Sequence, residues 1–234
     1  MPTSVSFAEI SAHERYKLLC ATIVPRPIAL VTSVDDAGVV NAAPFSFFNV
    51  FGENPPLVVL GLQHKPDRNR KDTTRNIAET GVFVVNLVDE ALAEAMNICS
   101  VDFPSDMSEV DAAGLSLLPG QDVPVPHIAE APFALECRRT ASLAFGPDRE
   151  VLLGEVVRLH ARDGMLDTDL MRVATELYKP VGRLWGSSYA RQDDRFDLVK
   201  QSYAEWSAEK GWAPVRRRPA RRRAPSRPRP GSDR

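Results

Sequence analysis

The sequence predicts a mainly β protein, an antiparallel barrel with a few short helices. Three observations carry this expectation. There are six segments rich in β-branched and apolar residues, the helix candidates are few and short, and strands and helices do not alternate in the way that builds a parallel sheet.

The elements follow in order. Pro27 to Val34 (PIALVTSV) reads as a strand, Asp35, Asp36, Ala37 and Gly38 give a turn signal, and the apolar run resumes at Val39, which together predict a hairpin. Leu57 to Leu62 (LVVLGL) is the third strand, entered through Pro55 and Pro56, which do not belong inside a central strand. Between them, Ala42 to Asn54 carries Phe45, Phe47, Phe48 and Phe51 beside Pro44 and is too apolar for an ordinary solvated loop. Asp72 to Thr80 (DTTRNIAET) predicts a short helix, with Asp or Thr available to cap its start and Gly81 placed to end it. Val82 to Val88 is the fourth strand. Asp89 is placed to cap a second helix over Glu90 to Ile98, with Leu92, Ala95, Met96 and Ile98 as its buried stripe. Residues 100 to 132 form a long irregular connection. Phe133 to Leu143 and Val151 to His160 are the last two strands, joined by a turn at Phe145 to Arg149, and a helix at Asp169 to Leu177 closes the regular structure.

In the 234 residues, 44% hydrophobic and 26% charged residues are the balance of a globular protein. No apolar run approaches the ~18 residues that span a bilayer, and the N-terminus lacks the basic and apolar regions of a secretion signal. No membrane association is expected. The net charge of −2 hides an asymmetry. Residues 213 to 234 hold nine arginines against one acidic residue, Asp233, whereas residues 1 to 212 hold 20 Lys and Arg against 30 Asp and Glu. One domain over residues 1–212 and a disordered Arg- and Pro-rich tail over 213–234 are therefore expected. Such a tail can bind polyanions weakly and in a salt-sensitive way, but no basic patch with interleaved aromatics supports specific nucleic-acid recognition.

Cys20, Cys99 and Cys137 are odd in number and widely spaced, which fits free thiols in a reducing cytoplasm. The four histidines are scattered, so a metal site is not expected. No G-x-S-x-G, G-x-x-x-x-G-K-[ST] or G-x-G-x-x-G motif occurs, which removes the main support for serine hydrolase, P-loop NTPase and Rossmann dehydrogenase readings.

Two stretches could carry chemistry. Lys65 to Arg75 (KPDRNRKDTTR) places basic side chains ahead of adjacent hydroxyls at a helix start, where free N–H groups and the positive dipole end suit a phosphate monoester. The same residues also read as a solvated basic loop with an ordinary cap. In Ala42 to Asn49, Pro44 interrupts the strand ladder and frees neighbouring backbone groups, Ser46 and Asn49 add polar side chains, and the phenylalanines offer apolar walls for a planar heteroaromatic ligand. That stretch reads equally as a hydrophobic dimer or core patch.

Arg26 to Val34 (RPIALVTSV), Gly38 to Asn49 (GVVNAAPFSFFN), Pro55-Pro56, Lys71 to Ile77 (KDTTRNI), Thr80 to Asn86 (TGVFVVN), Met96-Asn97, Pro132 to Arg138 (PFALECR), Gly154 to Val157 (GEVV) and Arg183 to Tyr189 (RLWGSSY) stand in one order over roughly residues 10 to 190. Together they resemble the flavin reductase-like family of FMN-binding split β-barrels. The resemblance implies a Greek-key type split barrel and a homodimer that binds FMN non-covalently at the subunit interface. It implies that Ala43, Pro44, Phe45 and Ser46 meet the isoalloxazine pyrimidine edge with Asn49 beside it. It further implies that Lys71, Asp72, Thr73 and Thr74 hold the phosphate, with Arg26 and Arg70 as further contacts. No acid–base residue is required, because the flavin itself takes the hydride.

The leading expectation is thus an oxidoreductase in which NADH or NADPH reduces FMN. Two alternatives stay open: an FMN-carrying electron-transfer protein fed by a protein partner, and a non-enzymatic flavin-binding protein whose tail meets a polyanion.

Overall fold

Ser11 starts the first regular element: its hydroxyl accepts the Glu14 N–H at 3.2 Å while the Glu14 carboxylate accepts the Ser11 N–H at 2.8 Å. This capping box opens helix α1, Ala12–Thr22, in a computed structural model that describes residues 2–65, 67, 69–104 and 107–210. The chain divides into two units, residues 1–194 and 195–234. The expected basic tail from Ala213 lies outside the described residues.

In the first unit the hairpin forms as β1, Ala29–Val34, and β2, Val40–Phe45. Its turn is held by Asp35, whose carboxylate accepts the N–H groups of Ala37 and Val39. The aromatic segment then forms a strand of its own, β3, Phe48–Glu53, where the sequence reads as an irregular stretch. Strand β4, Pro56–Gln63, follows. Pro44 does not break β2: it stays in register opposite Leu30, because β2 lies at the sheet edge, where a missing N–H interrupts no second ladder.

Helix α2, Asp72–Thr80, starts at Lys71 rather than on an Asp or Thr cap, and ends at Gly81, whose φ of 74° is the left-handed conformation that favours glycine. Strand β5, Val82–Leu87, is next. Helix α3 is shorter than the sequence implies, Ala93–Ile98. The Asp89 carboxylate accepts the Leu92 N–H at 3.1 Å and so forms a local turn ahead of the helix. The irregular connection contains a four-residue helix α4, Glu109–Ala112, and a small pair, β6, Leu117–Leu118, and β7, His127–Ile128. The long strands β8, Phe133–Phe145, and β9, Arg149–Ala161, come as expected.

The expected helix over residues 169–177 does not form. The chain there makes a two-residue pair, β10, Leu166–Asp167, with β11, Arg172–Val173. The Asp167 carboxylate captures the N–H groups of Asp169 and Leu170, and Met171 takes a positive φ of 50°, so no helical turn can propagate. A further pair, β12, Val181–Arg183, and β13, Tyr189–Arg191, completes this unit. In the second unit, helix α5, Tyr203–Lys210, begins with the hydroxyl of Ser202 accepting from the Glu205 N–H.

Seven strands form one antiparallel sheet in the order β2-β1-β5-β8-β9-β4-β3. Its two edges, β2 and β3, are consecutive in sequence and joined only through Ser46 and Phe47, a step that spans at most roughly 11 Å. The sheet must therefore curl until its edges approach, and this closure makes the split barrel. Gly61 N–H reaches Phe47 O at 2.7 Å at that junction.

Alternation along the strands sorts the core. Ala29, Val31, Val58, Leu60, Leu62, Phe83, Val85 and Leu152 cluster together, with Ile77 of α2 against them. The opposite face of β1 and β2 offers Leu30 and Ala42 to Leu92 and Met96 near α3 and Val110 of α4. Phe83 is wholly buried because Gly154 lets it in: a Cβ there would lie 2.4 Å from Phe83 Cζ. The buried Asn86 ties three elements, donating to Leu30 O and accepting the Ile128 N–H at 2.8 Å. Among the described residues no helix is long and apolar enough to cross a membrane.

Candidate functional site

The edge position of β2 leaves one flank of the hairpin open, and α2 begins beside it. Asn41 Nδ2 donates to Thr73 Oγ1 at 2.8 Å, which fixes the helix start against the strand. A cavity of about 630 Å³ lies here, within the size range of small-molecule sites. Ala43, Pro44 and Phe45 form one wall, and Lys71, Asp72 and Thr73 form another. The two stretches singled out in the sequence thus meet in one cavity.

The helix start has the properties of an anion site. Lys71 is the N-cap and makes no side-chain cap bond, so among the described residues no side chain caps the first-turn N–H groups of α2. Lys71 makes no ion pair among the described residues. Asp72 is already engaged, with Arg75 Nη1 at 2.7 Å and Lys65 Nζ at 3.7 Å. Thr73 is almost fully buried, and its hydroxyl accepts from Asn41, which leaves its O–H free to donate. Thr74, the next residue, is buried outside the cavity lining, and among the described residues its hydroxyl has no partner. A buried hydroxyl left unpaired costs about 1–3 kcal/mol, and a phosphate oxygen would satisfy it. The residues present therefore fit a phosphate-bearing ligand.

The other expected residues fall around this cavity rather than in its lining. Arg26 is buried: its Nη1 donates to Cys20 O and Ile23 O, its Nη2 to Leu184 O at 2.7 Å, and its Nε to Ser46 Oγ at 3.4 Å. It braces the β2–β3 turn from within the protein. Asn49 lies on β3, exposed, with Oδ1 accepting the Val50 N–H, and lines a separate 380 Å³ cavity with Phe48 and Leu57. Arg70 points to Glu150, with Nη2 3.8 Å from its carboxylate.

Sequence reasoning missed the third wall, Cys99 to Phe103 with Glu109. Glu109 accepts the Ala42 N–H at 3.3 Å, which ties this segment to the strand edge. The only signal in the sequence was a pair of apolar residues, Val101 and Phe103, in an otherwise polar stretch. Burial, with the Glu109 carboxylate adding to it, pushes the Cys99 thiol up to about 11, so the thiol stays protonated and is no nucleophile. Among the described residues no group of three or more His, Cys, Asp or Glu is placed to hold a metal.

The chain also matches known proteins in sequence and fold. A family model described as the flavin reductase like domain matches residues 21–180. The 2-nitrobenzoate 2-nitroreductase NbaA of Pseudomonas fluorescens superposes with a TM-score of 0.80 at 39% identity, covering 86% of this chain and 98% of that one. Nitrilotriacetate monooxygenase component B of Bacillus cereus gives 0.80 at 36% identity, covering 85% and 99%. A Shewanella frigidimarina structure with a split barrel domain gives 0.71 at 22% identity over 83% and 96%, a likeness of fold alone.

Proposed function

Because the chain belongs to the flavin reductase-like family, we propose that it binds FMN in the 630 Å³ cavity and passes electrons to it from NADH or NADPH. The observation that carries this reading is the meeting in one cavity of the start of α2, with Lys71 and Thr73, and the Ala43 to Phe45 edge of β2. Lys71, Thr73, Thr74 and the first N–H groups of α2 hold the phosphate, donating charge-assisted hydrogen bonds. The backbone of Ala43 to Ser46 meets the polar edge of the flavin, and Phe45 gives it an apolar wall. Arg26 keeps the Ser46 turn in place, and Glu109 and the Cys99 to Phe103 segment form the remaining wall and reduce access of water.

FMN, when bound, would supply the redox chemistry, serving as the acceptor of a hydride from the nicotinamide. The residues around it bind and orient, and no side chain has to act as acid or base.

The functional unit is a homodimer in a cytoplasmic setting. Val50 and Phe51 of β3 are 71% and 65% exposed, and Phe47 and Trp185 also face outward, which is costly for apolar side chains unless a second copy covers them. One experiment reads both cofactor and assembly: light scattering on the protein after incubation with excess FMN. A yellow peak of about twice the chain mass of 25.8 kDa is expected. A colourless peak contradicts FMN binding, and a yellow peak at the single-chain mass contradicts the dimer.

A further inference from the structure

Strand β9 carries an acidic side chain, Glu150, whose basic neighbours among the described residues, His64 and Arg70, come from the loop that leads into α2. The residue is 5% exposed, and its backbone is fixed on both sides, opposite Leu62 of β4 and Ala144 of β8. A carboxylate this buried is tolerated only where positive groups or hydrogen-bond donors compensate it. His64 Nε2 lies 3.5 Å from Glu150 Oε2, and Arg70 Nη2 lies 3.8 Å from the same oxygen.

These two residues flank the loop. His64 is also anchored to the β8–β9 turn, its N–H donating to Asp148 O at 3.0 Å and its Nδ1 facing Pro147 O at 3.3 Å. Within the loop, Lys65 N–H bonds Asn69 O at 2.8 Å. The cavity-lining side chains Lys65 and Lys71 sit directly beside the two tethered residues, each one position further along the chain. One strand carboxylate therefore lies within ion-pair distance of residues at both ends of the loop, without a hydrogen bond to either among the described residues.

We propose that Glu150 is a positioning residue for phosphate recognition: through His64 and Arg70 it sets the loop that brings Lys65 and Lys71 to the cavity. This rests on reading the cavity as the FMN site. In it, Arg70 serves the loop and does not touch the ligand, which departs from the role that the family resemblance implies for it. A phosphate-free ligand makes no demand on the loop, so the effect should be confined to ligands with the phosphate.

The test measures FMN and riboflavin affinities by fluorescence quenching for the unmodified protein, Glu150→Gln, Arg70→Gln and the double variant. The unmodified protein is expected to prefer FMN, and each single variant to lose about fivefold of that preference, with riboflavin affinity within about twofold. The double variant should lose no more than either single one, because both changes cut the same tie. Arg70 is half exposed, so Arg70→Gln keeps the test available if Glu150→Gln folds poorly. An unmodified protein without preference for FMN overturns the site reading and this inference with it. A protein that prefers FMN, combined with variants that keep the preference, lose riboflavin equally, or show additive losses, overturns the inference alone.

Discussion

Replacing Thr73 and Thr74 together by valine is expected to weaken FMN binding at least about tenfold while leaving riboflavin nearly unchanged. Each hydroxyl that donates to a charged phosphate contributes about 1.5–3 kcal/mol, so the loss of one already accounts for a factor of ten. The two positions differ in the free protein. Thr73 Oγ1 accepts from Asn41, whereas the Thr74 hydroxyl is buried without a partner among the described residues. Valine at position 74 removes that orphan at nearly constant volume, so Thr74→Val alone should melt at the same temperature as the unmodified protein or higher when no ligand is present, yet bind FMN less tightly. Isothermal titration with both ligands and thermal unfolding without them read the two effects separately. Equal weakening of FMN and riboflavin would place the phosphate elsewhere.

Glu136→Gln is expected to destabilise the barrel without touching the cavity. Glu136, on β8, is wholly buried. One carboxylate oxygen accepts the Gln121 N–H and His160 Nε2, at 2.7 and 2.6 Å, and the other accepts the N–H groups of Asp122 and Val123, both at 2.7 Å. Burial acts to raise its pKa, but the three N–H donors and His160 outweigh it and hold the group at about 2. The folded-state value is depressed, so this stabilisation is present above the ordinary glutamate range and fades as pH falls from about 4.5 through 2. A depression of this size is of order 3 kcal/mol. An amide also turns an NH₂ group toward N–H donors in place of an acceptor. At pH 7 the variant should melt roughly 6–12 °C lower in a chain of this size, and the gap should narrow at pH 3. Calorimetry at both pH values checks this, and a variant within about 2 °C at pH 7 contradicts it.

Where one residue type dominated locally, the sequence was enough. The apolar run of β1 ahead of Asp35 to Gly38 and the glycine after α2 specify their elements through side-chain chemistry alone. Strand β3 was hidden because its register shifts between Val50 and Gly52, which breaks the period of two. The opposite error arose at 169–177, where Leu170, Val173 and Leu177 mimic a helical stripe but are exposed, and Asp167 commits the backbone to a turn. Helix α1 buries only Cys20 and so shows no stripe, although Ser11 and Glu14 carried its capping signal. For the cavity, the two walls rich in special chemistry, around Pro44 and over Lys71 to Thr73, were legible. The third wall was not, since Cys99 to Phe103 and Glu109 reach the strand edge only through the path of a long connection.

The most direct test of the proposed activity is the visible spectrum of the FMN-loaded protein under anaerobic conditions, before and after NADH or NADPH. Bleaching from yellow to colourless with at least one nicotinamide is the expected result, at a rate well above that of free FMN with the same donor. A protein that binds FMN yet stays yellow with both nicotinamides would contradict the reductase reading and leave an electron carrier fed by another protein in its place.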